Sequence, residues 1–131
     1  MSFTKTVVVE MEDAHIPFLR SACDSMELVF GQDQKTFQTH EGKRACEHAI
    51  SQPGTHHEIG LVRNRESGTL DFSVDFYNSP RLREAVGNDF EILTQRISTE
   101  MARESLYDNG AREVREEWIP EENVVRLHAT Y

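Results

Sequence analysis

The residues best suited to chemistry in this chain are a cysteine and three histidines in its middle third. Cys46 and His48 are two positions apart, and His56 and His57 follow shortly after. On a β-strand Cys46 and His48 would share a face, whereas two consecutive histidines would point to opposite sides. Because thiolate and imidazole are ligands of zinc and iron, Cys46, His48 and either His56 or His57 are a candidate metal site. Exposed turn histidines and a half-buried cysteine are the simpler interpretation.

Asp71 and Asp75 are the carboxylates to consider for acid–base chemistry. Their segment, LDFSVDFY, alternates apolar and polar residues, which predicts a strand with one buried face beneath the long C-terminal helix. The buried side chains are then Leu70, Phe72, Val74 and Phe76. The aspartates would lie on the solvated face with α-carbons about 13 Å apart, too far to share a proton. A surface role is expected for both.

An arginine pair is the most notable polar feature of the predicted long helix. Arg96 follows Gln95, and Arg103 lies seven residues further on. Heptad spacing puts Arg96 and Arg103 on the same side of a helix. Because a guanidinium can bind a carboxylate through two hydrogen bonds, an ion pair between Arg96 and Asp75 is a predicted contact between helix and sheet. Such a contact is architectural rather than catalytic.

Motifs for nucleophilic or phosphate chemistry are missing from the sequence. It has no Gly-x-Ser-x-Gly elbow, and Gly42-Lys43-Arg44 lacks the earlier glycine of a P-loop. Cys23 falls in an apolar helical stripe, where a thiol is normally inert, and the two cysteines form no CxxC pair. The sequence therefore predicts no catalytic residue and no cofactor.

Aromatic residues suggest a binding surface. Trp118, Tyr131 and Tyr77 could form an exposed cluster, with core or edge packing as the alternative. Trp and Tyr supply much contact area at low entropic cost, as protein interfaces require. The strand VVRLHATY could also offer an unpaired edge to a protein partner or to a second copy in a homodimer. The candidate binding residues are Asp75, Tyr77, Arg96, Trp118 and Tyr131.

The composition narrows the class of protein and partner. With 131 residues, 37% hydrophobic and 28% charged, the chain is expected to form a single domain, residues 1–131. A net charge of −9 repels phosphate backbones and anionic lipids, so neither nucleic acid nor membrane is an expected partner. No signal peptide and no apolar run of about 18 residues is visible. A cytoplasmic location with reduced thiols is the expectation.

Short strands and helices are expected to position these residues. The first half of the chain predicts a strand over 3–11, a helix over about 14–26 capped by Asp13 with Pro17 in its first turn, and short strands in ELVF and KTFQTH. A turn at QPGT is followed by a hairpin over 58–77. The rest predicts a helix starting at Ser79-Pro80, a long helix from 90 to about 109, and a second hairpin over 111–131. Residues 41–50 fit either a strand or a helical turn. This order predicts an α+β fold, an antiparallel sheet with two or three helices on one face, of which a ferredoxin-like core is one form.

Several segments, in chain order, carry a family resemblance. They are MSFTKTVVVEMEDA, EIGLVRN with LDFSVDFYN, ILTQRISTEMARE, and NGAREVREEWIPEENVVRLHATY. Together they resemble the domain-of-unknown-function family twelve fifty-seven, which includes hypothetical chloroplast reading frame thirty-five and relatives in cyanobacteria and their phages. Asp75 and Gln95-Arg96 match the family's polar positions, whereas Ile97-Ser98 stands where members commonly have Tyr-Ala. The resemblance implies the fold and a cytoplasmic, stromal or phage-infected setting, and it implies no activity.

These observations favour a non-enzymatic accessory or protein-binding module. The alternative is a small metal-dependent enzyme or metal-binding protein that uses Cys46, His48 and His56 or His57. A third hypothesis is a small-ligand sensor, which would show a concave pocket lined by convergent polar groups.

Overall fold

The computed structural model describes residues 4–77 and 79–131, so Phe3 of the first predicted strand lies outside the described residues. The strands are β1 (Lys5–Met11), β2 (Val29–Gly31), β3 (Thr36–Thr39), β4 (Gly42–Ala45), β5 (His48–Ser51), β6 (Ile59–Arg63), β7 (Leu70–Val74), β8 (Glu113–Ile119) and β9 (Val124–Thr130). The helices are α1 (Ile16–Ser25), α2 (Pro80–Val86) and α3 (Glu91–Asp108), with a 3₁₀ turn (Asp13–His15) before α1.

The main sheet is antiparallel, with strand order β1-β7-β6-β5-β2. The predicted α+β class is confirmed, and so are both predicted hairpins, β6–β7 and β8–β9. Residues 41–50, ambiguous in sequence, form β4 and most of β5. The strand order is not ferredoxin-like, because the chain after α3 does not return to the main sheet: β8 pairs with β9 instead.

One face of the main sheet packs against the helices. Leu70, Phe72 and Val74 of β7 are fully buried, as their alternation predicts, and the Phe72 ring lies 4.9 Å from that of Phe90 at the start of α3. Phe76, beyond the end of β7, is only partly buried. Burial of each side chain of this size contributes about 1.5 to 3 kcal/mol to the free energy of unfolding. This burial stabilises the packing of the sheet against the helices.

The opposite face is also covered over β5 and β6, although not over β1, where Val8 is 63% exposed. The alternating pattern does not reveal this cover. The hairpin β3–β4 forms a second, smaller core whose members are Phe37, Cys46, Ala49 and Val62. Gly60 is required beneath it, because a Cβ there would lie 2.3 Å from the Phe37 ring. The prediction that Asp71 and Asp75 face solvent is therefore wrong: they are 4% and 2% exposed.

Asp71 stabilises an irregularity in β1. The register of β1 against β7 shifts between Val7 and Met11, and Glu10 there has a φ of 51°. The Asp71 carboxylate accepts hydrogen bonds from the backbone N–H groups of Val9 and Glu10, at 3.1 and 3.2 Å. The buried carboxylate thus replaces strand partners that the bulge removes from the ladder.

Two of the predicted helix caps are not made. Asp13 does not cap α1, because its carboxylate binds the Arg63 guanidinium at 2.9 Å. Ser79 precedes Pro80 at the start of α2 as predicted, but its hydroxyl makes no cap hydrogen bond. The predicted end of α3 is confirmed, since Asn109 follows its last residue and Gly110 has a φ of 101°.

No helix within the described ranges is long and apolar enough to cross a bilayer.

Candidate functional site

A concave pocket of about 360 Å³ lies where the residues after β3, the turn before β6 and the start of α2 meet. We call it the His57 pocket. Its polar lining residues are His40, Thr55, His56, His57, Ser79 and Arg81. No carboxylate is among the described residues that line it. The pocket therefore carries one guanidinium and no carboxylate among these residues, in a protein whose net charge is −9.

His57 is the buried centre of this pocket, with 5% of its surface exposed. Its Nδ1 lies 3.1 Å from the carbonyl oxygen of Asp75 and 2.9 Å from the hydroxyl oxygen of Ser79. Because a carbonyl oxygen only accepts, Nδ1 carries a proton and donates it. The Ser79 hydroxyl therefore cannot pass its own proton to that nitrogen. The pair is not arranged as a serine nucleophile with its base.

Asp75 connects segments that border the pocket. Its carboxylate accepts the backbone N–H of His40 at 3.1 Å and that of Tyr77 at 2.9 Å. Tyr77 is 44% exposed, and its ring centroid lies 4.5 Å from that of His40. The predicted ion pair between Asp75 and Arg96 is wrong: the Asp75 carboxylate binds these two amides, and the Arg96 guanidinium binds Glu100 and Glu116. Asp75 is a structural anchor of the pocket.

The predicted QPGT turn is confirmed, and it places Arg81. The N–H of Thr55 donates to the carbonyl of Gln52 at 3.0 Å, and Gly54 has a φ of 84°. A Cβ at Gly54 would lie 3.1 Å from an Nη of Arg81, so the guanidinium rests against the turn. Across residues 4–77 and 79–131, Arg81 has no carboxylate within ion-pair distance.

The structure does not bring the candidate metal ligands together. His48 is buried, and its Nδ1 accepts the N–H of Asp33 at 2.9 Å. Cys46 donates its S–H to the carbonyl of Gln34, and burial raises the pKa of its thiol to about 11. His56 and His57 line the separate His57 pocket, with ring centroids 5.8 Å apart. Among the described residues, no three His, Cys, Asp or Glu side chains are placed to hold a metal ion.

Arg96 and Arg103 lie on the same side of α3 as predicted, but their partners are glutamates. Arg96 binds Glu100 at 2.7 Å on its own helix and Glu116 of β8 at 2.9 Å. Arg103 also contacts Glu116. The four side chains are between 15% and 29% exposed. This half-buried network, which we call the Glu116 network, ties the β8–β9 hairpin to α3.

An apolar surface remains uncovered beside this network. We call it the Trp118 patch, and its members are Met26, Ile92, Trp118 and Val125. They surround a shallow cavity of about 120 Å³ between α3 and the hairpin. Trp118 is 51% exposed and Ile92 is 44% exposed. Large apolar side chains grouped in this way mark a contact surface more often than isolated ones do.

The three aromatic residues predicted to cluster lie apart. Trp118 pairs with Val125 near the turn of the β8–β9 hairpin, whereas Tyr131 follows Thr130, the residue that pairs with Glu113 at the other end. At about 3.3 Å per residue these ends are separated by more than about 15 Å. Tyr77 belongs to the His57 pocket instead. The predicted single cluster is therefore wrong, although each of the three residues is exposed.

Sequence reasoning missed His40 and Ser79 as members of a site. Ser79 reaches His57 across 22 residues of chain, and the His40 amide reaches Asp75 across 35. No local spacing rule connects positions this far apart, because the β3–β4 hairpin and the start of α2 bring them together only in the fold. The sequence signals for this region were the QPGT turn and the adjacent histidine pair.

Comparison with known proteins adds no relative: no family model, no curated protein and no solved structure matches the chain. The resemblance to family twelve fifty-seven stays a prediction.

Proposed function

We propose that this protein is a non-enzymatic module that binds a protein partner at the Trp118 patch. The observation that carries the proposal is the position of its single tryptophan, half exposed between α3 and a hairpin. That hairpin pairs with no other strand among the described residues. A half-buried Trp beside Ile and Met resembles the anchor of an interface, since Trp is enriched among residues that dominate binding energy.

Charge favours a partner that is basic rather than a second copy of the chain. At a net charge of −9, two copies repel each other. The turn next to Trp118 carries Glu121 and Glu122, both exposed; Glu122 lies 3.7 Å from the Arg126 guanidinium, so Glu121 supplies the net negative charge there. A partner surface with an apolar anchor for the patch and lysines or arginines for the rim fits this arrangement.

The chemistry of the cysteine and serine side chains supports a non-enzymatic role. Burial raises the pKa of Cys23 to about 12 and that of Cys46 to about 11, so neither thiol is ionised near neutral pH. The Nδ1 proton of His57 is directed at the Asp75 carbonyl, so the Ser79 hydroxyl does not donate to that nitrogen and instead points to the Tyr77 carbonyl. We extend the proposal to a cytoplasmic setting of the kind that the resemblance to family twelve fifty-seven implies.

The test is capture of a partner with matched variants. The full chain and its Trp118→Ala variant would be used to capture proteins from a cyanobacterial lysate, with Tyr77→Ala as the control, since Tyr77 is similarly exposed but lies at the His57 pocket. We expect one stoichiometric partner with the unmodified chain and with Tyr77→Ala, and at least about tenfold less with Trp118→Ala. Equal capture by both variants would refute the assignment of the patch. Dimerisation in sedimentation equilibrium that Trp118→Ala abolishes would replace the basic partner with a second copy.

A further inference from the structure

We infer that the His57 pocket is a second binding site, and that its ligand is a small organic phosphate. The inference is independent of the Trp118 patch, since the two surfaces share no lining residue. It concerns binding only, and it assigns no reaction to the pocket.

The donors that line the pocket point to an oxyanion. Three imidazoles, one guanidinium and two hydroxyl groups come from the polar residues of the lining. The hydroxyls of Thr55 and Ser79 already donate to the Gln52 side chain and to the Tyr77 carbonyl, at 2.8 and 3.5 Å, and the Nδ1 proton of His57 is directed at the Asp75 carbonyl. The donors left for a ligand are Arg81, His40 and His56, and no described lining residue is an acid. The Asp75 carboxylate is not among the lining residues, and it binds the amides of His40 and Tyr77. An anion would therefore meet donors rather than a competing carboxylate.

His57 has a nitrogen that requires a partner. Its Nδ1 is used by the Asp75 carbonyl, whereas its Nε2 makes no hydrogen bond to any residue within 4–77 or 79–131. The side chain is 5% exposed and lines the pocket. Buried polar atoms are nearly always paired, so an unpaired ring nitrogen at a cavity indicates a bound group. With the proton on Nδ1, Nε2 is an acceptor, and the O–H of a singly protonated phosphate group meets this requirement.

Arg81 supplies the permanent positive charge. It makes no ion pair with a carboxylate of the described residues, and it rests against the backbone of Gly54. A guanidinium fork matches both phosphate and carboxylate oxygens. Phosphate is favoured because its three peripheral oxygens can use more of the surrounding donors than the two of a carboxylate. A volume of about 360 Å³ leaves room for a small organic group in addition to the phosphate.

The first test is a titration of the ¹⁵N-labelled full chain with glycerol 3-phosphate, followed by NMR, with inorganic phosphate and acetate as comparison ligands. We expect shifts at His57 and at the residues around it, with affinity in the order glycerol 3-phosphate, inorganic phosphate, acetate. Absence of shifts at the pocket up to about 10 mM glycerol 3-phosphate would overturn the proposal. Binding of acetate as tight as that of glycerol 3-phosphate would overturn the choice of phosphate.

Variants at exposed positions keep the test independent of folding. Arg81→Gln removes the charge from the pocket, and Arg83→Gln is its control, because Arg83 is exposed on α2 but does not line the pocket. We expect Arg81→Gln to weaken glycerol 3-phosphate binding at least about tenfold and Arg83→Gln to change it less than about twofold. His56→Asn, with His128→Asn as control, should weaken binding by a smaller factor. Equal effects of Arg81→Gln and Arg83→Gln would show nonspecific attraction and refute the site.

Discussion

The His57 pocket and the Trp118 patch differ in how each surface is held. The pocket is assembled from three separate parts of the chain and fixed by the buried Asp75 carboxylate and by His57. The patch lies where a hairpin outside the main sheet meets α3, and the Glu116 network ties that hairpin to the helix. The pocket is built from segments that pack on the main sheet, whereas the patch depends on a separate hairpin that contacts α3. We therefore expect mutation of the buried Asp75 to cost stability, and mutation of the half-exposed Trp118 to affect binding with little loss of stability.

The largest loss of stability is expected from Asp75→Ala. The change leaves the backbone amides of His40 and Tyr77 without their acceptor. Two charge-assisted hydrogen bonds are lost, so the free energy of unfolding should fall by about 3 kcal/mol, measured by urea denaturation. Glu41→Ala, at an exposed acid of the β3–β4 turn, should change it by less than about 0.5 kcal/mol. A loss below about 1 kcal/mol for Asp75→Ala would mean that the pocket is not held as described.

Glu116→Gln should have the next largest effect, confined to the hairpin. It removes the carboxylate shared by Arg96 and Arg103, and a half-buried pair broken on one side costs about 2 kcal/mol. Hydrogen exchange should accelerate in β8 and β9 while the main sheet keeps its protection. Glu113→Gln is the matched control, because Glu113 is exposed on the same strand. Faster exchange throughout the main sheet would show that the hairpin is not a separate unit.

Trp118→Ala should cost little stability, although it removes the largest side chain of the patch. Half of the indole is already exposed, so we expect a loss of about 1 kcal/mol or less in urea denaturation. A loss above about 3 kcal/mol, typical of a core tryptophan, would assign Trp118 to the fold instead of to binding.

The smallest effect is expected at Arg63, which has the same chemistry as the Glu116 network but more exposed partners, Asp13 at 70% and Glu47 at 37%. Its hydrogen bonds hold the pKa of Asp13 and that of Glu47 below their ordinary values. Because these pKa values are lower in the folded chain, the pair stabilises it above the ordinary carboxyl range, and the stabilisation is lost as pH falls through the lowered values. The difference in Tm between the unmodified chain and Arg63→Gln should be small at about pH 6 and vanish near about pH 2. A difference that grows on acidification would contradict this sign.

The local sequence pattern was sufficient to predict most strands and helices, but it was insufficient to predict which residues meet in the His57 pocket. The alternation from Leu70 to Val74 predicted a strand and its helix-facing side chains correctly. It could not show that the β3–β4 hairpin covers the other face, because that contact joins segments distant in sequence. For this reason Asp75 was expected on the surface and is buried. The histidine pair was a visible signal, but its partner Ser79 becomes adjacent only when α2 packs against the turn.

The most direct measurement of the central claim uses the intrinsic fluorescence of Trp118, the only tryptophan in the chain. Acrylamide quenching would be recorded for the protein alone and with the partner that it captures. We predict ready quenching in the free protein, and both protection from acrylamide and a blue-shifted emission in the complex. An indole that is already protected in the free protein, or whose quenching does not change when the partner binds, would contradict the account.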